Sequence, residues 1–250
     1  MITKNRIYNS IINKRKKLAL LIDPENFKNF SENDLEIIKK SKIDYLFVGG
    51  SLVSEPVDKL ILKLRKITSI PIILFPGSIL QISKKADAIL FLSLISGRNP
   101  DFLIGHHIIA APYLKKTGIE IIPTGYILID GKNTSSVQFI SNTTPIPADK
   151  IDIIVATAIA GEMLGLKLIY LEGGSGAKEV IPSEVVKSVR KNISTPLIVG
   201  GGIKDPDEMI KLFNAGADIV VISTIFENNP IKLLDFSKSL VDYNKPISNK

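Results

Sequence analysis

Eight short apolar runs alternate with amphipathic segments along the 250 residues of this chain. Continuous apolar runs bounded by turn residues are typical of strands that are covered on both faces. The amphipathic segments between them predict helices that pack on a parallel sheet. The predicted strands are Leu18–Ile22, Tyr45–Val48, Ile72–Phe75, Ala88–Leu92, Glu120–Ile129, Leu166–Leu171, Pro196–Val199 and Ala217–Ile222.

The number of strand–helix units predicts a closed barrel. Eight units at a mean spacing of about thirty residues leave no room for a second domain. We therefore predict an α/β protein, a single (β/α)8 TIM barrel that spans residues 1–250. A doubly wound sheet is the alternative, but its phosphate loop would follow the first strand. That position holds Asp23-Pro24-Glu25 rather than a Gly-rich turn.

Capping residues and apolar periodicity place the helices between the strands. Ser31 and Asp205 are predicted N-caps, and Pro206 suits the first turn of the helix that Asp205 begins. The stretch Asp130–Pro147 is the longest loop candidate, and long loops of this kind commonly cover or bind a substrate. The other predicted helical segments are Glu32–Lys42, Glu55–Ile67, Asn99–Lys116, Asp149–Leu164, Pro182–Lys191 and one within Pro230–Tyr243, while only a short segment, Ser78–Lys85, precedes the fourth strand.

Composition excludes several classes of protein. The chain has no Cys, which excludes disulfides and thiolate metal sites and fits a reducing compartment. No apolar run reaches the roughly 18 residues that a spanning helix needs, so we expect a cytoplasmic protein with at most peripheral membrane contact. The formal charge of +7 is spread along the chain, and only Lys14–Lys17 is a dense basic run. We therefore expect no nucleic-acid partner.

Three neighbouring strand ends predict a phosphate site. Gly173–Gly176 follow the sixth predicted strand, Gly200–Gly202 follow the seventh, and Ser223-Thr224 follow the eighth. Loops without side chains leave backbone N–H groups free to surround an anion. In (β/α)8 barrels, phosphate commonly binds between the loops after strands seven and eight.

Two pairs of polar residues could act beside that phosphate. Tyr170 and Glu172 are two apart on one strand, so they share a face and could orient the hydroxyl of a small phosphorylated alcohol. Asp23 and Ser51 follow the first and second strands, and a carboxylate with a hydroxyl suits Mg²⁺ that also binds substrate phosphate. Both could instead be helix caps. The adjacent His106 and His107 cannot jointly ligate one metal well, so we expect both to be structural.

Several motifs in order give the chain a family resemblance. They are Ile22-Asp23-Pro24, Gly49-Gly50-Ser51, Gly125-Tyr126, Ile129-Asp130-Gly131, Tyr170-Leu171-Glu172-Gly173-Gly174-Ser175-Gly176-Ala177, Val199-Gly200-Gly201-Gly202-Ile203 and Gly216-Ala217-Asp218. Together they resemble the geranylgeranylglyceryl phosphate synthase family, including its bacterial heptaprenylglyceryl phosphate synthase relatives. The Tyr-Leu-Glu motif is the specific one, since many phosphate-binding barrels share the Gly-rich pieces.

The resemblance implies an activity and a set of site residues. The family joins a polyprenyl diphosphate, here expected to be geranylgeranyl, to sn-glycerol 1-phosphate, forming an ether and releasing diphosphate. By the resemblance, Asp23 and Ser51 would bind Mg²⁺, and Glu172 and Tyr170 would be catalytic. The residues implied for glycerol phosphate are Tyr170, Leu171, Glu172, Gly173, Gly174, Ser175, Gly176, Gly201, Gly202, Ser223 and Thr224. Family members commonly assemble, so we expect a homo-oligomer, a dimer or hexamer, with the apolar Phe102–Tyr113 segment at its interface.

Other functions stay open at this point. A sugar-phosphate isomerase or lyase would share the phosphate loops without needing a metal or an apolar groove. A catalytically idle barrel would keep the glycines, although it would not need Asp23, Tyr170 and Glu172. The sequence has no Asp-Asp-x-x-Asp motif, which excludes the helical prenyltransferases. For a prenyl tail we expect a groove near the loops after the fourth and fifth strands.

Overall fold

The eight apolar runs form eight parallel strands that pair in chain order. The structure is a computed structural model, and it describes residues 5–27 and 29–246. The strands are β1 (Lys17–Ile22), β2 (Tyr45–Val48), β3 (Ile72–Leu74), β4 (Ala88–Leu94), β5 (Glu120–Leu128), β6 (Leu168–Glu172), β7 (Leu197–Gly200) and β8 (Ile219–Ile222). Parallel pairing of β1 with β8 closes the barrel, so the predicted (β/α)8 fold is confirmed.

Helices cover the outside of this barrel and close its ends. They are α1 (Arg6–Ile11), α2 (Pro24–Phe27), α3 (Glu32–Lys40), α4 (Val57–Ile67), α5 (His106–Thr117), α6 (Ser136–Ser141), α7 (Ile151–Met163), α8 (Ser183–Asn192), α9 (Pro206–Ala215), α10 (Thr224–Asn228) and α11 (Lys232–Tyr243). Both predicted N-caps are confirmed: Ser31 Oγ accepts from the Asp34 N–H at 3.3 Å, and the Asp205 carboxylate accepts from the Glu208 N–H at 3.0 Å. Among the described residues, no helix has the length and hydropathy needed to cross a membrane.

Three connecting segments show features that the sequence did not predict. The short segment Ser78–Lys85 contains one 3-10 turn, Ile79–Gln81, in which the Gln81 side chain is buried. The predicted loop Asp130–Pro147 contains α6 and a bridge from Ile129 to Ile146. The helix predicted at Asn99–Lys116 starts with a wide π-helical turn before α5.

Helix α1 closes the bottom of the barrel and was not predicted from the sequence. Its Ile7 and Ile11 are buried against the residues inside the barrel. Glu120, at the start of β5, accepts the N–H groups of Ile7 at 2.7 Å and Tyr8 at 2.8 Å. Since these are N–H groups of the first helical turn, which have no partner within a helix, the carboxylate fixes α1 in place.

The barrel interior is unusually aromatic toward its open end. Tyr45, Phe47, Phe75, Tyr126 and Tyr170 form a chain of ring contacts with centroids 5.4 to 6.5 Å apart. Their side chains belong to the inner core, while the alternate strand residues face the helices. The aromatic chain therefore leads to the carboxyl ends of the strands, where the polar residues lie.

Candidate functional site

The carboxyl ends of the eight strands form one mouth of the barrel, and every predicted site residue lies there. Asp23 follows β1, and Gly50 and Ser51 follow β2. Glu172 ends β6 and pairs with Gly200, the last residue of β7. Because all strands are parallel, the loops after β6, β7 and β8 are neighbours, as the sequence predicted.

Glu172 is a carboxylate buried in this mouth, with only 6 % of its surface exposed. Its Oε1 accepts the N–H of Gly174 at 2.6 Å. Burial raises the pKa of Glu172 to about 7, although that hydrogen bond and the nearby Tyr170 hydroxyl both lower it. A carboxyl group with such a pKa can accept or give a proton near neutral pH.

Tyr170 lies fully buried beside Glu172. A Cβ on Gly200 would come within 3.0 Å of both the Tyr170 hydroxyl and the Glu172 carboxylate, so a glycine is needed there. The hydroxyl interacts electrostatically with the carboxylate, but no described residue forms a well-directed hydrogen bond with it. Burial raises the pKa of Tyr170 well above its ordinary value, so the hydroxyl stays protonated. It is therefore a buried donor that a substrate oxygen could satisfy.

The Gly-rich loops beside Glu172 leave backbone donors available. Gly201 has a φ of 94°, and a Cβ there would meet the Glu172 carboxylate at 2.8 Å and the Gly173 N at the same distance. No described residue accepts a hydrogen bond from the N–H groups of Ser175, Gly176, Gly201 or Gly202. Free N–H groups next to bare backbone form a suitable cradle for a phosphate.

The remaining residues predicted for this cradle differ in what they can contribute. The Leu171 side chain faces the helices in the outer core, so only its backbone borders the site. The Ser175 side chain is exposed on the loop after β6. Ser223 Oγ lies 3.3 Å from Glu227 Oε1, and Thr224 is the first residue of α10. These positions are compatible with phosphate binding through backbone and hydroxyl donors.

Asp23 and Ser51 lie across the mouth from Glu172, at the ends of β1 and β2. A Cβ on Gly50 would lie within 3.0 Å of both Asp23 carboxylate oxygens, so the loop after β2 packs directly on this carboxylate. Asp23 accepts the Glu25 N–H at 2.9 Å and forms no ion pair with any described residue. Burial, followed by the charges of Glu227 and Glu25, raises the pKa of Asp23.

These residues fit Mg²⁺ only together with a substrate. Across residues 5–27 and 29–246, no cluster of three or more acidic or imidazole side chains could hold a metal alone. Mg²⁺ binds by one or two carboxylates plus substrate phosphates and waters. A half-buried carboxylate that no described cation pairs with, packed against the loop that carries Ser51, meets that requirement.

An apolar groove leads from the barrel interior to the outside between β3, β4 and α5. The lining residues are Gly50, Ser51, Phe75, Pro76, Gly77, Ser78, Ile79, Ile82, Ile89, Leu90, Phe91, Leu92, Leu94, Phe102, His106, His107, Ala110, Leu114, Tyr126 and Val137. At its inner end, the Tyr126 ring packs on Tyr170 with centroids 5.4 Å apart. The groove therefore begins next to the proposed catalytic pair, and Ser51 lies on its wall.

The two histidines line this groove rather than a metal site. His107 packs edge-on against Phe91, and His106 packs against Phe102. His107 Nε2 lies 3.3 Å from Ser93 Oγ, while its Nδ1 is buried without a hydrogen bond to any described residue. Burial lowers the pKa of His107, so the neutral imidazole is favoured in these surroundings.

Sequence reasoning missed three residues of the mouth. Phe75 ends a predicted strand and Tyr126 belongs to the Gly125-Tyr126 motif, but neither was assigned to the groove. Gln81 lies in the short segment before β4, to which no role was assigned, yet it is 1 % exposed and bonds to two loops. A lone amide among apolar residues, Ile79 to Ile82, was the available signal.

Comparisons with known proteins give the same family as the motifs. The PcrB family matches residues 9–240. A protein of Flavobacterium johnsoniae, named geranylgeranylglyceryl phosphate synthase, is 51% identical over 220 residues, 87% of this chain and 90% of that protein. A protein of the same name from Korarchaeum cryptofilum is 39% identical over 215 residues, 85% of this chain and 88% of that protein.

Solved structures agree with the sequence relatives. The (S)-3-O-geranylgeranylglyceryl phosphate synthase of Thermoplasma acidophilum, in complex with its substrate sn-glycerol-1-phosphate, superposes with a TM-score of 0.86 at 30% identity, covering 97% of this chain and 99% of that one. The resemblance predicted from the motifs is thus confirmed. The chain belongs to the PcrB family, together with relatives named geranylgeranylglyceryl phosphate synthase.

Proposed function

We propose that this protein is a prenyltransferase that joins a polyprenyl diphosphate, geranylgeranyl diphosphate in the first instance, to sn-glycerol 1-phosphate. The observation that carries this proposal is the continuity of three features: a backbone phosphate cradle, the buried Tyr170–Glu172 pair and an apolar groove that starts at Tyr126. Relatives with this name, and one solved in complex with sn-glycerol-1-phosphate, support the choice of substrate.

In this proposal the glycerol phosphate binds first by its phosphate. The free N–H groups of Gly176, Gly201 and Gly202 hold the anion. Ser175, Ser223 and Thr224 complete the cradle. The phosphate then fixes the glycerol end of the substrate beside Glu172, where the Tyr170 hydroxyl donates to a glycerol oxygen.

Glu172 takes the proton of the attacking hydroxyl. The oxygen of that hydroxyl forms the new bond to the first carbon of the prenyl chain, while the carbon–oxygen bond to diphosphate breaks and its electron pair leaves with the diphosphate. With a pKa of about 7, Glu172 is a base of useful strength at neutral pH. Tyr170, protonated throughout, keeps the attacking oxygen in line.

Asp23 and Ser51 would hold Mg²⁺ together with the diphosphate oxygens. Bound Mg²⁺ offsets the negative charge that develops on the leaving group. Asp23 supplies the carboxylate, and its own ionisation is favoured by the cation because no described cationic side chain pairs with it. The loop Gly49–Ser51 places the hydroxyl at the wall shared with the groove.

The groove would hold the prenyl tail away from water. Its side chains are mainly aliphatic and aromatic, and burial of each methylene of the tail contributes about 0.8 kcal/mol. We also propose a cytoplasmic location, with at most peripheral contact to a membrane, which the absence of Cys and the nature of the product support.

The rival functions do not need this groove. A sugar-phosphate isomerase or lyase acts on a small polar molecule, and an idle barrel has no use for a buried carboxylate near Tyr170. The decisive experiment incubates the protein with Mg²⁺, sn-glycerol 1-phosphate and prenyl diphosphates of several lengths. Formation of an acid-stable prenyl ether with release of diphosphate supports the proposal, and sugar-phosphate turnover without ether would replace it.

We further propose that the chain forms a homo-oligomer, a dimer or a hexamer. The outer side of α5 and of the π-helical turn before it carries four large apolar side chains that are more than half exposed: Ile104, Ile108, Ile109 and Tyr113. Contiguous exposed apolar patches of this kind commonly mark protein interfaces.

A further inference from the structure

The Gln81 side chain connects the loops after β2 and β3, just beyond the last backbone hydrogen bonds between the first three strands. The ladder between the first three strands ends at the Gly49 N–H, bonded to Ile22 O, and at the Phe75 N–H, bonded to Val48 O. Beyond those points the Gln81 carboxamide links the two loops: its Oε1 accepts the N–H of Gly50 at 3.1 Å and of Gly77 at 3.3 Å. Its Nε2 donates to the Gly50 carbonyl at 2.7 Å.

These three bonds hold two loops against each other at a fixed distance. A Cβ on Gly77 would come within 3.0 Å of the Gly50 carbonyl and of Ser51 Cα, so the two backbones are in direct contact. Gln81 itself is 1 % exposed, and its amide is satisfied only by this pair of loops. A buried amide that loses such partners leaves backbone groups unpaired, and the loops would then separate.

The loop that Gln81 holds also packs on Asp23. Gly50 lies against both carboxylate oxygens of Asp23, and Ser51 follows directly. On the other side, Pro76, Gly77 and Ser78 form the groove wall beside Ser51. One side chain therefore fixes the loop that carries Ser51 and packs on Asp23 against the loop that forms the groove wall.

We propose that Gln81 is the positioning residue for the diphosphate end of the prenyl substrate. It keeps the loop that carries Ser51 and packs on Asp23 in place beside the groove. The diphosphate of the prenyl substrate can then bind at that loop while the prenyl chain lies in the groove. This inference rests on the proposed function, because the diphosphate head is the group that both loops would meet. The glycerol phosphate cradle, on the opposite strands, has no contact with Gln81.

The test compares Gln81→Ala and Gln81→Glu with Ser83→Ala. Gln81→Glu keeps the two acceptor bonds and loses the donor to the Gly50 carbonyl. Ser83 is a matched control, since it is 2 % exposed in the same segment and its hydroxyl bonds to Asp58 on α4, and neither residue lines the groove. Calorimetry measures the Kd of inorganic diphosphate with Mg²⁺ and the Kd of sn-glycerol 1-phosphate, and steady-state kinetics gives the KM for geranylgeranyl diphosphate.

We expect Gln81→Ala to raise the diphosphate Kd and the prenyl KM about tenfold or more, since small misplacements cost this much. The Kd of glycerol phosphate should stay within about twofold, Gln81→Glu should fall between, and Ser83→Ala should match wild type in both. Unchanged diphosphate affinity in a folded Gln81→Ala or Gln81→Glu, or equal loss of both affinities, would overturn the inference. If Gln81→Ala weakens diphosphate binding but the wild type forms no ether, the proposed function fails while the positioning role of Gln81 stands.

Discussion

At the scale of single residues, the buried carboxylate of Glu172 allows the most direct test of the proposed mechanism. We expect Glu172→Gln to lower the rate of ether formation about 10²–10⁴-fold, because the amide keeps the shape but cannot accept the proton. Both substrates should still bind, since backbone N–H groups hold one and the opposite side of the mouth holds the other. Single-turnover ether formation and the two dissociation constants measure this.

The pH profile checks the same assignment independently. Since burial raises the pKa of Glu172 to about 7, kcat/KM of the wild type should rise with pH up to about 7 and then level. Glu172→Gln should lose that rising limb. A rate within about threefold of wild type would make Glu172 a structural carboxylate, because that change is below roughly 1 kcal/mol in the barrier.

Glu172 should also make stability depend on pH. Its pKa rises from 4.5 to about 7 on folding, so between these values the folded protein binds more protons than the unfolded chain. Stability from this group is therefore full below pH 4.5 and is lost as pH rises through about 7. In Glu172→Gln no buried carboxyl group has to ionise as the pH rises. The free energy of unfolding of this variant should therefore exceed that of the wild type by an amount that grows across this window to at most about 3 kcal/mol. Urea unfolding at pH 4.5, 6 and 8 measures the difference.

Asp23 is the residue that tests the metal proposal. We expect Asp23→Asn to abolish most turnover and to weaken Mg²⁺-dependent binding of inorganic diphosphate, because a neutral amide is a poor Mg²⁺ ligand. Asp44→Asn is the matched control: its carboxylate also has a raised pKa from burial, but it accepts the Leu18 N–H at the other end of the barrel. A near-normal rate of Asp23→Asn at limiting Mg²⁺ would contradict the assignment.

At the scale of elements, the loops after β6 and β7 should bind one substrate and not the other. Gly201→Val adds a side chain at a φ of 94°, where its Cβ would meet the Glu172 carboxylate and the Gly173 backbone and so displace the loops of the proposed phosphate cradle. We expect its Kd for glycerol phosphate to rise by about tenfold or more, with a smaller change for prenyl diphosphate.

A second glycine separates that effect from backbone strain. Gly165 has a φ of 79°, but a Cβ there meets nothing within 4 Å. Gly165→Val should therefore destabilise the protein by about 1 kcal/mol and leave both affinities unchanged. Equal loss of both substrates in Gly201→Val, measured by calorimetry on folded protein, would point to a folding defect instead.

Elements with a clear apolar pattern could be predicted from the sequence, whereas elements held in place by long-range side-chain contacts could not. The buried strands appear as apolar runs, and the caps at Ser31 and Asp205 follow from local hydrogen bonding. Helix α1 is held by Glu120, more than a hundred residues away, and no local pattern encodes that contact. Gln81, between β3 and β4, donates to the backbone of Gly50, 31 residues away along the chain, and no local pattern encodes that contact either.

The same division applies to the candidate site. The glycines and the Tyr170–Glu172 pair lie at strand ends, so strand order alone brings them together. Their roles remain predictions, whereas their proximity follows from the fold. The raised pKa of Glu172 was not predictable, since it arises from burial by the loop after β7 rather than from a charged neighbour in the sequence.

At the scale of the whole molecule, the barrel places its two openings on different sides of the proposed catalytic pair. The proposed phosphate cradle spans the loops after β6 to β8, and the apolar groove leaves between β3, β4 and α5. Two substrates of opposite character can thus reach Tyr170 and Glu172 without crossing. The inner wall of the groove uses one face of α5, which leaves the other face free for a different contact.

That outer face of α5 should hold copies of the chain together. Ile108 is 66% and Ile109 62% exposed, although each side chain is as apolar as those in the core. Burial of such a face contributes roughly 25 cal/mol per Å² of apolar surface, against which the lost translational, rotational and side-chain freedom of the subunits counts. We expect wild type to be an oligomer at micromolar concentration and Ile108→Lys to shift it toward the monomer, because a charge there would be buried without a partner.

Leu62→Lys on α4, at a side chain 47% exposed, is the matched control and should leave the assembly intact. Light scattering with size-exclusion chromatography measures the mass of each. A wild type that is monomeric, or an Ile108→Lys variant with unchanged mass, would place the interface elsewhere or remove it, and the exposed apolar face would then need another partner.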